Sequence, residues 1–369
     1  MTPIRVLQVV PNMHAAGLET LIMNMFRNID RNKVQFDFLV HYKQRYFYDD
    51  EIEALGGKIY RLSFREDNNI IKYLKDVDSF FSKHGEYKII HGHMASTAYF
   101  YLRAAKKHNI PIRILHSHNT STEKTLKGKI KKQMLKLSTL YANKYFACSI
   151  VSGEFLYGKK KFEVINNAIN VEYFAFDPEE RALIRKELNV DDYLVLGHIG
   201  RFSTQKNHKF LLKVFSEFLK TNPDTRLLLV GEGELENKIK TEISESGIGN
   251  EVMLLGVRKD VNRIYQALDF FLLPSLFEGL PVVGIESQIS GTVSIVSDKI
   301  TKELKITDLV SFLPLENGAD YWSQYIKNYR NYQKKDVSQQ IKNSGYEIKN
   351  EANKLMQYYI DLCSVNNSK

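Results

Sequence analysis

At 369 residues the chain is too long for one ordinary core and suits two domains of ~150 to 200 residues each, with a cleft between them. An apolar fraction of 43%, a charged fraction of 26% and 8 prolines exclude a disordered or fibrous chain, and two cysteines, Cys148 and Cys363, exclude a disulfide framework and a zinc-thiolate motif. The formal charge of +9 is uneven, with 27 Lys and Arg against 15 Asp and Glu through residue 168 and 25 against 28 beyond it, and no run approaches the ~20 apolar residues of a membrane span.

Scarce cysteine points to a reducing cytoplasm. The first predicted strand, residues 4–10, has an apolar part too short for a signal peptide. It leads into Ala15-Ala16-Gly17-Leu18-Glu19-Thr20, where a helix opens. Gly17 there lets backbone approach a phosphate, although a lone glycine before a helix also serves as a plain turn. No Gly-x-Gly-x-x-Gly occurs, which counts against a nicotinamide dehydrogenase. Further strands are predicted at 36–41 and 58–61. Asp76-Val77-Asp78 then falls inside a stretch of helical apolar spacing and reads as solvated surface rather than as a metal-binding Asp-x-Asp.

The strands predicted at 88–91 and 112–116 end in His91-Gly92-His93 and His116-Ser117-His118-Asn119. A His-x-His can supply two metal ligands. Neither pair has a carboxylate or cysteine nearby to complete a set, so no metal is expected, and His91 reads as a core histidine. Lys124, Lys127, Lys129, Lys131, Lys132, Lys136 and Lys144 interleave with Leu126, Ile130, Met134, Leu137 and Tyr141 at helical spacing. That basic amphipathic helix, 124–141, either lies on an anionic membrane or faces a lipid-linked acceptor, or else packs its apolar stripe on its own domain. Nucleic acid is a poorer partner, since zinc-finger and RNP spacings are missing. Strands at 145–149 and 162–165 complete the first half. The polar cluster 166–170 marks a domain boundary, giving domains 1–168 and 169–349.

In the second half strands are predicted at 193–199, 226–230, 252–255, 269–273 and 293–296, and a terminal helix spans about 346–362. Short apolar runs alternating with amphipathic ones imply an α/β fold of doubly wound parallel sheets, which bind ligands at the carboxyl ends of their strands. After 193–199 comes Gly200-Arg201-Phe202-Ser203-Thr204-Gln205-Lys206-Asn207. Arg201 offers a planar fork and Lys206 a mobile point charge, a combination suited to a pyrophosphate. Gly231-Glu232-Gly233 is a turn expected to shape the binding cleft. The strand at 269–273 runs through Pro274-Ser275-Leu276-Phe277 into Glu278-Gly279-Leu280-Pro281-Val282-Val283-Gly284-Ile285-Glu286. Pro281 suits a first helical position, the amides of Gly279, Leu280 and Val282 can point at an anion, and Glu286 can accept hydrogen bonds from vicinal hydroxyls.

Two glutamates separated by seven residues, after Pro274-Ser275-Leu276-Phe277 and around Gly279, resemble the signature of the retaining glycosyltransferases of family 4. Their fold, GT-B, sets two Rossmann-like domains across a cleft. The resemblance implies that Glu278 contacts the transferred sugar and that Glu286 binds the nucleotide ribose. It further implies that Gly200, Arg201 and Lys206 hold the donor diphosphate and neutralise the leaving group. By the same resemblance Gly17 lies at the donor, Val257 reads the base through its backbone, and His118 or His116 sits beside the reacting sugar. Helix 350–369 would pack back onto the first domain.

The implied activity is a metal-independent, retaining hexosyl transfer from a nucleotide-diphosphate sugar, a UDP-sugar, to a hydroxyl of a lipid-linked glycan. Capsule or exopolysaccharide synthesis, on the cytoplasmic face of a membrane and without a cofactor, would be its setting. This chain departs from the family at Ala16 and Pro281, where glycine is usual, and at Ala168 in the linker. The alternatives are a nucleotide-sugar epimerase of the same fold and a catalytically silent partner subunit. Intact Arg201, Lys206, Glu278 and Glu286 weigh against the silent partner.

Overall fold

Parallel strands buried on both faces read as near-continuous apolar runs, and this chain builds two such sheets. The structure, a computed structural model, describes residues 2–67, 69–94, 97–118 and 133–367. It divides into two compact units, Met1–Ala168 with Glu347–Lys369, and Ile169–Tyr346.

The first unit holds strands β1 (Ile4–Val9), β2 (Val34–Val40), β3 (Ile59–Arg61), β4 (Ile89–Gly92), β5 (Ile112–Ser117), β6 (Lys144–Ala147) and β7 (Glu163–Val164). They form one parallel sheet in the order β3-β2-β1-β4-β5-β6-β7. All seven residues of β2 are buried, including Asp37. That carboxylate is satisfied by Arg5, by the backbone N–H of Lys58 at 2.7 Å and by the Tyr87 hydroxyl at 2.7 Å. The helix Ile348–Asn367 lays Ile348, Ala352, Leu355, Met356, Tyr359 and Cys363 into the same core as Val6, Phe36 and Ile114. Cys148 and Cys363 are both free and buried.

The second unit holds β8 (Leu194–Ile199), β9 (Thr225–Val230), β10 (Val252–Gly256), β11 (Phe270–Leu273), β12 (Val293–Ser297) and β13 (Val310–Leu313), ordered β10-β9-β8-β11-β12-β13. Its core includes the one tryptophan, Trp322, whose indole N–H donates to the Pro314 carbonyl at 3.0 Å. The two parallel sheets bear out the expected doubly wound architecture. β13 was not foreseen: its four residues, Val310-Ser311-Phe312-Leu313, form an edge strand too short and too mixed to stand out by pattern.

In each sheet the winding reverses beside the first strand, between β1 and β4 and between β8 and β11. Loops leaving neighbouring strands diverge there, which opens the crevice where such sheets take ligands. Asp76 and Asp78 lie on the helix Ile70–Lys83, and Asp78 pairs with Lys107 at 2.8 Å. Residues 133–138 are helical, whereas the predicted basic stretch 124–132 lies outside the described residues. Among the described residues no helix is long and apolar enough to cross a membrane.

Candidate active site

Lys206 and Glu278 are far apart in sequence, yet they follow β8 and β11, which are neighbours at the reversal of the second sheet. The Lys206 ammonium donates to Glu278 Oε1 at 2.6 Å, and the Ser275 hydroxyl donates to the same oxygen at 2.9 Å. With side chains 15% and 11% exposed, the pair is largely shielded from water. The segment carrying Glu278 leads into the helix Val282–Ile289, whose first N–H groups have no acceptor within the helix. Pro281 is the N-cap (φ −75°, ψ 120°), not the first helical residue as predicted. Its carbonyl accepts from the Gly284 N–H at 3.1 Å and so closes the first turn one residue later.

The loop 203–207 is stitched to the segment 274–278. The Leu276 N–H donates to the Gln205 carbonyl at 2.8 Å, the Gln205 side-chain amide donates to the Phe277 carbonyl at 2.9 Å, and the Asn207 amide donates to the Pro274 carbonyl at 3.2 Å. Asn207 adopts a left-handed conformation (φ 57°, ψ 45°), which its short polar side chain tolerates better than most. These contacts hold Lys206 over Glu278. Sequence reasoning missed both Gln205 and Asn207 as positioning groups, because nothing local says which distant loop their amides meet.

Gly200 and the turn Gly231-Glu232-Gly233 form a second brace. The Gly200 N–H donates to the Val230 carbonyl at 2.9 Å and the Phe202 N–H to the Glu232 carbonyl at 2.8 Å. Gly231 has φ +135°, and a Cβ there would meet the Gly200 carbonyl oxygen at 2.2 Å. A Cβ on Gly200 would approach the Lys206 side chain at 3.1 Å. Tight backbone contact, rather than ligand contact, therefore accounts for the turn.

Glu286 is 7% exposed, and the Tyr265 hydroxyl lies 3.0 Å from its Oε2. Burial raises its pKa to about 7, against a smaller lowering by Tyr265. Arg201 stands apart from this cluster: its side chain is 72% exposed and pairs with Glu234 at 3.1 Å. Gly279 and Leu280 lie on the turn before the helix, with Leu280 buried. Val257 is exposed just after β10. The structure thus joins Lys206, Ser275 and Glu278 directly, places Glu286 on the helix that follows Glu278, and leaves Arg201 on the surface.

In the first unit Gly17 begins the helix Gly17–Asn28, with no atom within 4 Å of where its Cβ would stand. Glu19, in the first turn, is buried, and burial raises its carboxyl to about 7. The four histidines converge. His91 Nε2 lies 3.0 Å from His116 Nδ1, and His93 Nδ1 lies 2.9 Å from His118 Nε2. The two His-x-His pairs therefore complete each other, which separate motifs on separate strands do not reveal. His91, His93 and His116 form a potential three-nitrogen metal group within 4.8 Å. His116 is 2% exposed, whereas His118, just beyond β5, is half-buried.

Two doubly wound parallel-sheet units are the plan of the GT-B fold. Residues 179–308 match the family model "Glycosyl transferases group 1". The chain is 33% identical over 334 residues to EpsF of Bacillus subtilis (strain 168), which bears a glycosyltransferase name, covering 87% of this chain and 86% of EpsF. It is 28% identical to the Escherichia coli UDP-Gal:alpha-D-GlcNAc-diphosphoundecaprenol alpha-1,3-galactosyltransferase over 80% of this chain and 81% of that one. Anabaena HepE in complex with UDP and glucose superposes with a TM-score of 0.72 at 16% identity, covering 98% and 97% of the two chains. This chain belongs to the group 1 glycosyl transferases.

Proposed function

We propose that this protein is a retaining, metal-independent hexosyltransferase that moves sugar from a UDP-sugar to a hydroxyl of a lipid-linked glycan in capsule or exopolysaccharide synthesis. The observation that carries the reading is the Lys206–Glu278 pair, held at 2.6 Å by two stitched loops beside a helix start. Lys206 keeps two further N–H donors for phosphate oxygens, and Arg201 and the amides of Gly279, Leu280 and Val282 add positive potential. Together they meet the charge that builds on the departing diphosphate. Preorganised donors of this kind are the largest catalytic term in many enzymes, one lost donor costing about 2.7 to 4 kcal/mol.

Glu278 then orients the transferred sugar, and Glu286, ionised above pH 7, takes the two ribose hydroxyls. Gly200 permits the close packing under Lys206, Val257 offers backbone to the base, and Gly17 offers an unshielded helix start to phosphate. His118 meets a hydroxyl of the reactants. Retention follows from same-face attack, with a phosphate oxygen taking the acceptor proton. The E. coli relative, a UDP-Gal-dependent galactosyltransferase acting on a diphosphoundecaprenol-linked sugar, supports a UDP-sugar and a lipid-linked acceptor.

A thermal-unfolding screen against nucleotide sugars, read by Trp322 fluorescence, tests this. A specific donor at 100 times its Kd stabilises by about 2.7 kcal/mol, and Lys206→Ala removes the shift. A panel in which every UDP-sugar leaves the transition unmoved contradicts the reading.

A further inference from the structure

Register brings the histidines of the first unit together. β1 pairs with β4 through Gln8↔His91, and β4 pairs with β5 through His91↔Ile114. Side chains two residues apart share a face of a strand, so Gln8, His91, His93, His116 and His118 extend the apolar stripe of Val6, Ile89, Ile112 and Ile114 toward the carboxyl ends. Tyr359, from the terminal helix, packs onto that stripe. Among the described residues the four imidazoles hydrogen-bond to one another, to Gln8 and to Tyr359, with no carboxylate among these partners.

In such a closed set one fixed dipole decides every proton. The Gln8 side-chain oxygen, an obligate acceptor, lies 2.9 Å from His93 Nε2, so that nitrogen carries the proton. Neutral His93 then presents the lone pair of Nδ1, 2.9 Å from His118 Nε2, which must donate. His118 Nδ1 is left unprotonated. On the other branch the Gln8 amide donates to the Tyr359 oxygen at 3.4 Å, freeing that hydroxyl to donate to His91 Nδ1 at 2.5 Å. His91 Nε2–H donates to His116 Nδ1, and the proton on His116 ends at Nε2, which is buried with no partner. His91, His93 and His116 are buried and His118 is half-buried, and none of these rings has a carboxylate partner among the described residues, surroundings that favour the neutral imidazole.

We propose that Gln8, acting through His93, is a positioning residue that fixes His118 as the Nε2–H tautomer, so that His118 Nδ1 accepts a hydrogen bond from a reactant hydroxyl. The hydroxyl partner rests on the transferase reading; the tautomer does not. An imidazole in this state takes a hydroxyl proton's hydrogen bond and cannot give one to a phosphate from Nδ1. The N···N separations of 2.9 and 3.0 Å are ordinary hydrogen-bond lengths, which the relay explains without an ion.

The test uses the full chain labelled with 15N-histidine, its His118 signals assigned by comparison with His118→Gln. Long-range proton–nitrogen correlation should show His118 protonated at Nε2 and bare at Nδ1. Gln8→Glu, whose carboxylate also only accepts, should preserve that pattern, and Gln8→Met, similar in shape but unable to accept from His93, should mix the tautomers. Gln8→Met should also lower kcat at least tenfold with little change in KM for the donor.

His118 protonated at Nδ1 in the unaltered protein, or a tautomer indifferent to Gln8→Met, overturns the proposal. So does one equivalent of zinc bound on titration with loss of the cluster's N–H signals, which would make the three histidines a metal centre. The expected tautomer in a protein that binds no sugar nucleotide would support the relay and overturn the transferase reading alone.

Discussion

Lys206 and Glu278 stabilise each other as well as any ligand, so their substitutions separate folding from function. Removing one partner leaves the other shielded from water without its counter-charge, at a cost of about 1 to 3 kcal/mol, and removing both recovers part of it. A double-mutant cycle of Lys206→Met and Glu278→Gln, followed by denaturant unfolding, should therefore show coupling above 0.5 kcal/mol. Glu286 brings a pH dependence. Burial raises its carboxyl from the ordinary 4.5 to about 7, so the folded state favours the neutral form. Its stabilising contribution is complete below pH 4.5 and is lost as pH rises through 7. Unfolding at pH 5 and pH 8 should show this slope in the unaltered protein and a flatter one in Glu286→Gln. If Glu286 takes the ribose hydroxyls as proposed, UDP binding, by calorimetry, should tighten over the same interval. The identities of these residues were legible in the sequence as two acids and two cations at strand ends. Their partners were not: that Tyr265 would face Glu286, that Ser275 would share an oxygen with Lys206, and that Arg201 would turn to Glu234 depend on contacts that no spacing encodes.

Glycines separate the elements that are braced from those that are open. Gly231→Ala forces a Cβ against the Gly200 carbonyl at φ +135° and should cost more than about 1 kcal/mol while displacing the Gly200–Phe202 loop. Gly17→Ala meets no atom within 4 Å and improves helix propensity by roughly 0.5 to 1 kcal/mol, so the melting temperature should hold or rise. If Gly17 gives backbone to a phosphate, that variant should nonetheless bind donor more weakly; unchanged binding would remove Gly17 from the site. At this scale the sequence was most readable where apolar runs were long and turn residues flanked them, as in β1, β2, β8 and β9. It was least readable at β13, whose four edge residues carry little pattern, and at Pro281, where the choice between N-cap and first turn depends on one backbone angle.

Across the molecule, the alternation of strands and helices made the class of fold legible, and the strand order explains why motifs distant in sequence share a site. The histidine cluster shows the limit of such reading: His91-Gly92-His93 and His116-Ser117-His118 are each incomplete until β4 and β5 lie side by side. The terminal helix is a similar case, since its Tyr359 enters the first unit's polar network from the far end of the chain. A chain ending at residue 346 should expose the apolar face of the first unit and unfold it, seen as protease sensitivity there, while the Trp322 fluorescence transition of the second unit persists. The central claim is that the loops joined by Lys206 and Glu278 bind and activate a nucleotide sugar for transfer. Its most direct measurement is the rate of hexose transfer from the donor identified by the stability screen to a lipid-linked acceptor, for the unaltered protein and for folded Lys206→Ala and Glu278→Ala. The account predicts turnover lowered at least ~100-fold in each; turnover equal to that of the unaltered protein in either variant contradicts it.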